Sequence, residues 1–303
     1  MQCTLILIRY GELSLKSAYV RRSFESTLIQ NIKRTIIEAQ LQGTVTRDRG
    51  RIYLQTQDIQ RCCLLLQRVF GIVSLSPAVE TIAHPDDIAT VALKLMQESL
   101  TKGERFAIRA TRAGTHTFTS QDIAVRVGDE IVHTLHAPVD LTHPDVELFI
   151  EVRDKKAFLF TQKIKGVGGL PRGTQGKVLA LIDTPASMRA AWFLMHRGCN
   201  VLFLTTSRFL ENELMGFQKK WFVAPGSITV DPHASDFYTT LEHLATDYHC
   251  DALVTGHTLT DAKATIAQLS DWKQHSTIPL LTPLIAMGEQ EIRARCREVG
   301  VPL

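Results

Sequence analysis

The spacing of apolar residues changes between helix and strand periods several times within the first 76 residues. Apolar side chains recur every three or four positions over residues 17–40, which predicts a long helix. Asp48, Arg49 and Gly50 form a turn signal between two short β-rich runs. The predicted order is strand 4–8, helix 17–40, strand 44–46, strand 51–56, helix 58–69 and strand 72–75. This β-α-β-β-α-β order is typical of a ferredoxin-like domain.

Residues 77–165 predict a second α+β segment. Helical periodicity covers 86–100 and 120–136, with Ser120 as the expected N-cap of the later helix. A strand is predicted at 105–110, and strands 146–152 and 157–162 form a hairpin. Residues 166–176 are glycine-rich and aperiodic, so we interpret them as a linker.

Residues 177–303 alternate between strand and helix patterns. The continuous apolar run at 178–182 predicts a strand buried on both faces of a parallel sheet. The remaining elements are predicted as helix 185–197, strand 201–205, helix 236–248, strand 252–255, helix 260–269, an extended segment 279–284 and helix 289–299. This alternation predicts a doubly wound α/β domain. We therefore predict three domains, 1–76, 77–165 and 177–303. The linker 166–176 joins the second domain to the third.

Composition and charge narrow the class of protein. The 303 residues are 45% hydrophobic and 21% charged, which is typical of globular domains. No apolar run reaches the ~18–20 residues that a membrane helix needs, and the N-terminus lacks signal-peptide features. We therefore expect a cytoplasmic protein with no membrane partner. Residues 1–176 carry a net charge of +5 and residues 177–303 carry −2, which favours a polyanion partner for the first part.

The six cysteines give no metal or redox motif. They form no C-x-x-C pair, so we assign no metal site and expect reduced structural thiols. Cys62 and Cys63 are adjacent, so one is expected to face a core and the other solvent. Cys199, near His196 and Arg197, is the least poor candidate for a nucleophile, but we interpret it as structural.

The first strand-to-helix connection of the α/β segment is the expected ligand position. In an open parallel sheet, ligands bind beyond the carboxyl ends of strands, where a helix N-terminus offers N–H groups to an anion. The sequence DTPAS at 183–187 contains no glycine, and glycines let backbone approach a phosphate closely. A plain turn is therefore favoured over a working phosphate loop.

Several motifs in order carry a resemblance to one family. They are IRYGELSLK at 8–16, RGRI at 49–52, VFGIVS at 69–74, DL at 140–141, PDV at 144–146, EVRDKKA at 151–157 and KIKGVGGLP at 163–171. The chain resembles the tRNA 4-thiouridine sulfurtransferases, also known as thiamine-biosynthesis sulfurtransferases. The resemblance implies a ferredoxin-like domain and a THUMP domain that together bind tRNA near its acceptor stem and 3′ end. It also implies a PP-loop pyrophosphatase domain that adenylates a uridine with ATP, and a cysteine persulfide that delivers sulfur.

The third domain departs from the family pattern. The family has Ser-Gly-Gly-x-Asp-Ser where this chain has 183–187, and its Ser-Leu-Gly-Gln after Gly256 is replaced by TLTD at 258–261. Arginines of the family's basic helix align with Thr239, Thr240 and their neighbours. The family's catalytic cysteine lies beyond the position of residue 303, so we expect no counterpart here. We assign no catalytic residue, and the departures argue against ATP as a cofactor. The residues of the degenerate nucleotide site are Asp183, Thr184, Ser187, Thr255 and Gly256.

Residues that suit RNA are those that combine a family motif with a cation or an aromatic ring. Cations contact phosphates, and rings stack on exposed bases. The candidates are Arg9, Lys16, Arg109, Arg112, Phe118, Lys163 and Lys165. For the charged candidates the alternative is a solvated surface charge, and for Phe118 it is core packing.

Three functional hypotheses remain open from the sequence. The first is a tRNA-binding adaptor, related to the sulfurtransferases but catalytically impaired, that presents tRNA to a partner modification enzyme or dimerises. The second is an active ATP-dependent tRNA sulfurtransferase with a divergent nucleotide site. The third is an unrelated nucleotide-binding enzyme, because α/β frames host many functions.

Overall fold

The computed structural model describes residues 3, 5–11, 17–48 and 50–299, and their contacts divide them into two compact units. Of the described residues, unit 1 contains those within 1–10, 36–67 and 73–166. Unit 2 contains those within 11–35, 68–72 and 167–303. The first 76 residues, which we expect to be one domain, thus contribute to both units. Over the described part of the chain, no helix is long and apolar enough to cross a membrane.

The elements before residue 166 follow the predicted order closely. They are β1 Leu5–Tyr10, α1 Ala18–Glu38, β2 Thr44–Asp48, β3 Arg51–Gln55, α2 Ile59–Leu66, β4 Ile72–Ile82, α3 Pro85–Ser99, β5 Phe106–Ala113, α4 Ser120–Leu135, β6 Val146–Arg153, β7 Lys156–Phe160 and β8 Ile164–Lys165. The strands form one sheet in the order β2-β3-β1-β4-β7-β6-β5, and β8 also pairs with β4. Because β4 runs unbroken to Ile82, the expected domain boundary after residue 76 falls inside a strand.

The sheet of unit 1 coils strongly, so that one face closes on itself. Tyr53 on β3 and Phe158 on β7 are three strand steps apart, which would be about 14 Å in a flat sheet. Their rings nevertheless stack with centroids 4.9 Å apart. Small residues, Ser76 and Ala78 on β4, are fully buried at the centre of the bend. The concave face therefore has an apolar floor without needing a helix to cover it.

Glu151 on β6 joins distant strands across this concave face. Its carboxylate accepts hydrogen bonds from Arg9 on β1 at 2.6 and 2.9 Å and from Arg51 on β3 at 3.2 Å. Arg153 lies 4.0 Å away. The side chains of Arg9 and Glu151 are only 13% and 11% exposed. We call Glu151, Arg9, Arg51 and Arg153 the Glu151 cluster.

Burial and ion pairing compete within the Glu151 cluster. Burial alone would raise the pKa of Glu151, but the charges and hydrogen bonds of Arg9 and Arg51 outweigh it and hold that pKa below its ordinary value. Burial likewise lowers the pKa of Arg9, and the carboxylate of Glu151 opposes that shift. The carboxylate is therefore ionised at neutral pH, and Arg9 depends on it for a counter-charge.

The other face of the same sheet carries the helical core of unit 1. Leu148, Ile150 and Val152 alternate with the residues of the Glu151 face and pack against α3 and α4. Thr119, not Ser120 as predicted, caps α4: its hydroxyl accepts from Asp122 N–H, and the Asp122 carboxylate accepts from Thr119 N–H. The short side chain one residue earlier can reach the third helical N–H, which decides the cap.

Unit 2 contains the predicted doubly wound α/β arrangement. Its elements are β9 Lys177–Ile182, α5 Pro185–His196, β10 Asn200–Thr205, a 3-10 turn Arg208–Leu210, α6 Glu211–Lys220, β11 Ile228–Thr229, α7 Phe237–Asp247, β12 Ala252–Val254, α8 Ala262–His275, β13 Leu280–Leu281 and α9 Glu289–Val299. The parallel sheet has the order β11-β10-β9-β12-β13. Ala180 and Ile182 pack on one side of β9, while Leu179 and Leu181 pack on the other. The α6 helix and β11 were missed because residues 206–235 lack clear periodicity.

One further expectation was wrong. Cys62 and Cys63 are both buried, at 0% and 4% exposure, because α2 is covered on more than one side.

The glycine-rich segment 166–176 is hydrogen-bonded to neighbouring segments. Gly168 exchanges backbone hydrogen bonds with Gly71 and Ile72, and three consecutive N–H groups of 173–175 donate to Gly198 O. A Cβ at Gly169 would lie 2.2 Å from His196 O, so close packing requires this glycine.

The first prediction concerns the counter-charge that Glu151 gives to Arg9. Glu151→Gln should lower the free energy of unfolding by about 3 kcal/mol, because it strands a buried arginine. Glu147→Gln, which breaks the more exposed ion pair with Arg109, should cost less than about 1 kcal/mol. Hydrogen exchange in β1 and β6 measures unit 1, while fluorescence of the three tryptophans, all in unit 2, serves as the internal control. Equal costs for the two variants would contradict this role.

The second prediction concerns the pH dependence of the same cluster. The pKa of Glu151 is lowered in the folded state, so its stabilisation is present above the ordinary glutamate pKa of about 4.3. That stabilisation is lost as the pH falls through the lowered value. The stability difference between wild type and Glu151→Gln should therefore shrink as urea unfolding is repeated at successively lower pH from 7 to 3. A difference that stays constant over this range would mean that Glu151 is not titrating as an ion-paired group.

Candidate functional site

Three of the predicted RNA-binding residues come together on the concave face of unit 1. Lys163 Nζ lies 3.6 Å from the centroid of the Phe149 ring on β6. Arg109 on β5 is the register partner of Phe149 in the parallel β5–β6 ladder. Arg9 lies above Phe160, which itself stacks on Phe149 at 5.3 Å. We call Phe149, Arg109 and Lys163 the Phe149 surface.

The charges of this region fall into a buried part and an accessible part. Arg9 is paired with Glu151, and its side chain is only 13% exposed. Arg109 is 40% exposed and donates to Glu147 Oε1 at 2.8 Å. Burial lowers the pKa of Lys163, and the nearby charge of Arg9 adds to that shift. Arg109 and Lys163 are therefore the cations of this region that a phosphate could reach.

Phe149 was missed by sequence reasoning, although the sequence contains a signal for it. Strand alternation places Glu147, Phe149 and Glu151 on one face of β6, so Phe149 is the apolar member of an otherwise charged row. It is half-buried, whereas the phenylalanines of β7 are buried. An aromatic ring between cations is the combination that single-stranded RNA favours.

Arg112 and Phe118 lie at a second position, around the loop after β5. Arg112 Nη1 is 3.5 Å from His116 Nδ1, and His116 Nε2 is 2.6 Å from Asp154 O. Because arginine only donates, Nδ1 is the acceptor in the first contact and Nε2–H the donor in the second. Phe118 packs against the helical core of unit 1, so its ring is used structurally. Arg112 is exposed at this loop.

The last two RNA candidates are Lys165 and Lys16. Lys165 is exposed on β8, where it pairs in register with Ser74 of β4. Lys16 lies outside the described residues. The structure thus groups Arg9, Arg109 and Lys163, and separates Arg112, Phe118 and Lys165 from them.

The predicted nucleotide position lies at the switch point of the unit 2 sheet, between the carboxyl ends of β9 and β12. Here Thr184 caps α5 with a capping box. Its hydroxyl accepts from Ser187 N–H at 3.3 Å, while Ser187 Oγ accepts from the N–H groups of Asp183 and Thr184 at 3.2 and 3.1 Å. Pro185 supplies no N–H. The backbone donors that would face an anion are therefore bonded within the turn.

The chain just after β12 approaches this turn closely. A Cβ at Gly256 would lie 2.7 Å from Ser187 N and 2.8 Å from Ser187 Cα. The adjacent Thr255 is buried, and its hydroxyl is 2.6 Å from His257 Nδ1. His257 Nε2 is in turn 3.1 Å from Gln268 Oε1. Close approach of Gly256 thus seals the turn onto the neighbouring strand.

These contacts do not fit ATP held in the manner that the family resemblance implies. A phosphate cradle needs several converging N–H groups and a backbone that opens around the ligand. Here the N–H groups of 183, 184 and 187 already have partners, and the backbone at Gly256 packs directly on Ser187. Of the predicted site residues, Asp183, Thr184 and Ser187 are hydrogen-bonded to one another, Gly256 packs on Ser187, and the hydroxyl of Thr255 is paired with His257.

The thiols of unit 2 have the character of structural cysteines. Cys199 and Cys296 are buried, and burial raises the pKa of each. Cys250 is partly buried, and burial raises its pKa as well. A reactive thiol needs the opposite shift. Among the described residues, no group of three histidine, cysteine or acidic side chains is arranged to hold a metal ion.

Three family models match the chain. They are the ThiI ferredoxin-like domain at residues 5–76, the THUMP domain at 83–162 and the thiamine biosynthesis protein (ThiI) at 233–302. The β9–α5 turn lies outside these ranges. Among solved structures, PH1313 from Pyrococcus horikoshii superposes with a TM-score of 0.87 at 27% identity, covering 98% of this chain and 99% of that one. A 4-thiouridine synthetase crystallised with RNA and bound ATP has a TM-score of 0.80 at 23% identity, covering 98% and 85%, which shows a shared fold.

Curated relatives supply the family. A probable tRNA sulfurtransferase from Methanobrevibacter smithii is 35% identical over 99% of this chain and 87% of its own length. Another from Methanothermobacter thermautotrophicus is 33% identical over 98% and 84%. The matched domains occur in the order predicted from the motifs, and both units agree with that fold. The chain belongs to the THUMP-containing tRNA sulfurtransferase family.

Proposed function

We propose that this protein binds tRNA and presents it for thio-modification, without activating the tRNA through ATP held at the switch point of its own α/β unit. The observation that carries this proposal is the closed switch point, where Ser187 and Gly256 are in contact and the N–H groups of the turn are internally bonded. A partner modification enzyme would then complete the reaction, and a homodimer is a second way to complete it.

Support for tRNA binding comes from the family and from unit 1. The THUMP match and the RNA in the structure of the 4-thiouridine synthetase both favour an RNA ligand. Lys163 supplies an accessible cation over the Phe149 ring, and Arg109 supplies another on the neighbouring strand. Cations position the phosphate backbone, and an aromatic face suits an unstacked base at a single-stranded end. The acceptor end of tRNA has both features.

Support for impaired ATP use comes from three observations on unit 2. The turn lacks glycine, its donors are bonded to Thr184 and Ser187, and Gly256 closes the crevice. The alignment to the Methanobrevibacter smithii relative spans 340 positions, more than the 303 residues here, so that relative contains segments with no counterpart in this chain. These observations favour the adaptor over the active sulfurtransferase.

The third prediction tests tRNA binding at the Phe149 surface. Wild type should bind tRNA more tightly than an unrelated RNA of equal length at physiological salt. Arg109→Gln with Lys163→Gln should weaken tRNA binding about tenfold, because two phosphate contacts are removed. The control, Lys94→Gln with Lys102→Gln, removes two exposed charges elsewhere in unit 1 and should bind as wild type does. Fluorescence anisotropy with labelled tRNA measures all three, and no preference of wild type for tRNA would refute the proposal.

The fourth prediction tests ATP use. Equilibrium dialysis with labelled Mg–ATP should reveal no saturable binding tighter than about 1 mM, with or without tRNA. ATP–pyrophosphate exchange in the presence of tRNA should stay at the level of a protein-free blank. The Methanobrevibacter smithii relative, assayed side by side, is the positive control for the reagents. Exchange that depends on tRNA would instead establish an active sulfurtransferase with a divergent nucleotide site.

A further inference from the structure

A narrow cleft in unit 2 combines arginines with aromatic walls, away from the switch point. Arg34 lies on α1, Arg68 follows α2, and Trp221 and Phe222 follow α6. Asn31 on α1 fixes another wall by donating to Arg172 O at 3.0 Å. The enclosed volume is about 20 Å³. None of the nine residues that line it is acidic, and all nine are among the described residues.

The backbone at the aromatic wall has an uncommon conformation. Phe222 has a φ of +53°, and the hydrogen bonds Phe222 N to Lys219 O and Val223 N to Gln218 O complete a Schellman motif at the end of α6. Glycine normally occupies this position, and a bulky residue there is a conformational outlier. Such outliers cluster at ligand sites, where the side chain is wanted in that place. Phe222, in this conformation, is one of the residues that line the cleft.

The charges around the cleft repel one another. Lys220 lies at the end of α6, with its Nζ 5.8 Å from the centroid of the Trp221 ring. Burial lowers the pKa of Lys220, and the nearby positive charge of Arg68 lowers it further. Arg34 is exposed beside them. An anion at the mouth would relieve this repulsion, and guanidinium groups match a phosphate with two parallel hydrogen bonds.

We propose that this cleft, which we call the Arg34–Arg68 cleft, binds backbone phosphates of RNA. The inference rests on the proposed tRNA binding and extends it from the Phe149 surface to a cleft of unit 2 that is lined by α1, the segment after α2 and the end of α6. The volume of about 20 Å³ is enough for a group the size of one phosphate oxygen beside the arginines. The ligand in this proposal is a phosphodiester of the RNA backbone.

The test is the salt dependence of tRNA binding by the full chain. Each lost phosphate contact should reduce the slope of log K against log salt by about 0.7–0.9. Arg34→Gln with Arg68→Gln should weaken binding about tenfold at 150 mM salt and reduce the slope by about 1–2. Arg34→Lys with Arg68→Lys keeps the charges and should keep the slope, with a smaller loss of affinity. Arg34→Gln alone, at an exposed position, provides a variant whose folding is not at risk.

The matched control removes two charges from the same helix. Arg21 and Arg22 are exposed on α1, and Arg21→Gln with Arg22→Gln should retain the wild-type slope. Tryptophan fluorescence checks that unit 2 is folded in every variant. An unchanged slope in the Arg34–Arg68 variants, with tight tRNA binding by wild type, overturns this inference and leaves the proposed function standing. Equal losses in the control pair overturn it as well. Absence of tRNA binding by wild type refutes both.

Discussion

The carboxylate of Glu151 on β6 pairs with Arg9 of β1 and Arg51 of β3 on the concave face of unit 1. In a flat sheet β6 would lie three strand steps from β1, so the pairing of Arg9 with Glu151 and the coiling of the sheet depend on each other. Buried ion pairs add little net stability, but removing one partner is costly. The cluster is therefore best understood as a constraint on shape, which joins strands of the ferredoxin-like and THUMP matches into one curved sheet.

That curvature also determines what the sheet can offer to a ligand. It buries Phe158 and Phe160 in the floor and leaves Phe149 half-buried, with Lys163 above it and Arg109 beside it. The ion pair with Glu151 leaves little of the Arg9 side chain accessible. Arg109 and Lys163 are thus the cations that the coiling of the sheet leaves accessible on this face. No single sequence motif predicts which cations remain accessible.

In unit 2 the governing constraint is the close approach of two chain segments at the switch point. A serine on the first turn of α5 and a glycine after β12 come into contact, and the capping box uses the donors that a phosphate would need. The frame of a nucleotide-binding fold is retained, because its stability comes from the two apolar layers around the parallel sheet. The turn between β9 and α5 lies outside those layers, so its hydrogen bonding can differ without a change of fold.

The amino-acid sequence by itself determined the element types, the α/β alternation of 177–303 and the family motifs, because periodicity and turn residues act over short distances. It also predicted that 183–187 is a plain turn, since the absence of glycine is a local property. Only the tertiary structure decided that Arg9 is ion-paired and mostly covered, that Lys163 lies over the Phe149 ring and that Cys62 and Cys63 are both buried. These outcomes depend on contacts between residues tens to more than a hundred positions apart. The packing of 167–176 against α5 was likewise visible only in the tertiary structure. A glycine that gives flexibility and a glycine that permits close approach cannot be told apart in the sequence.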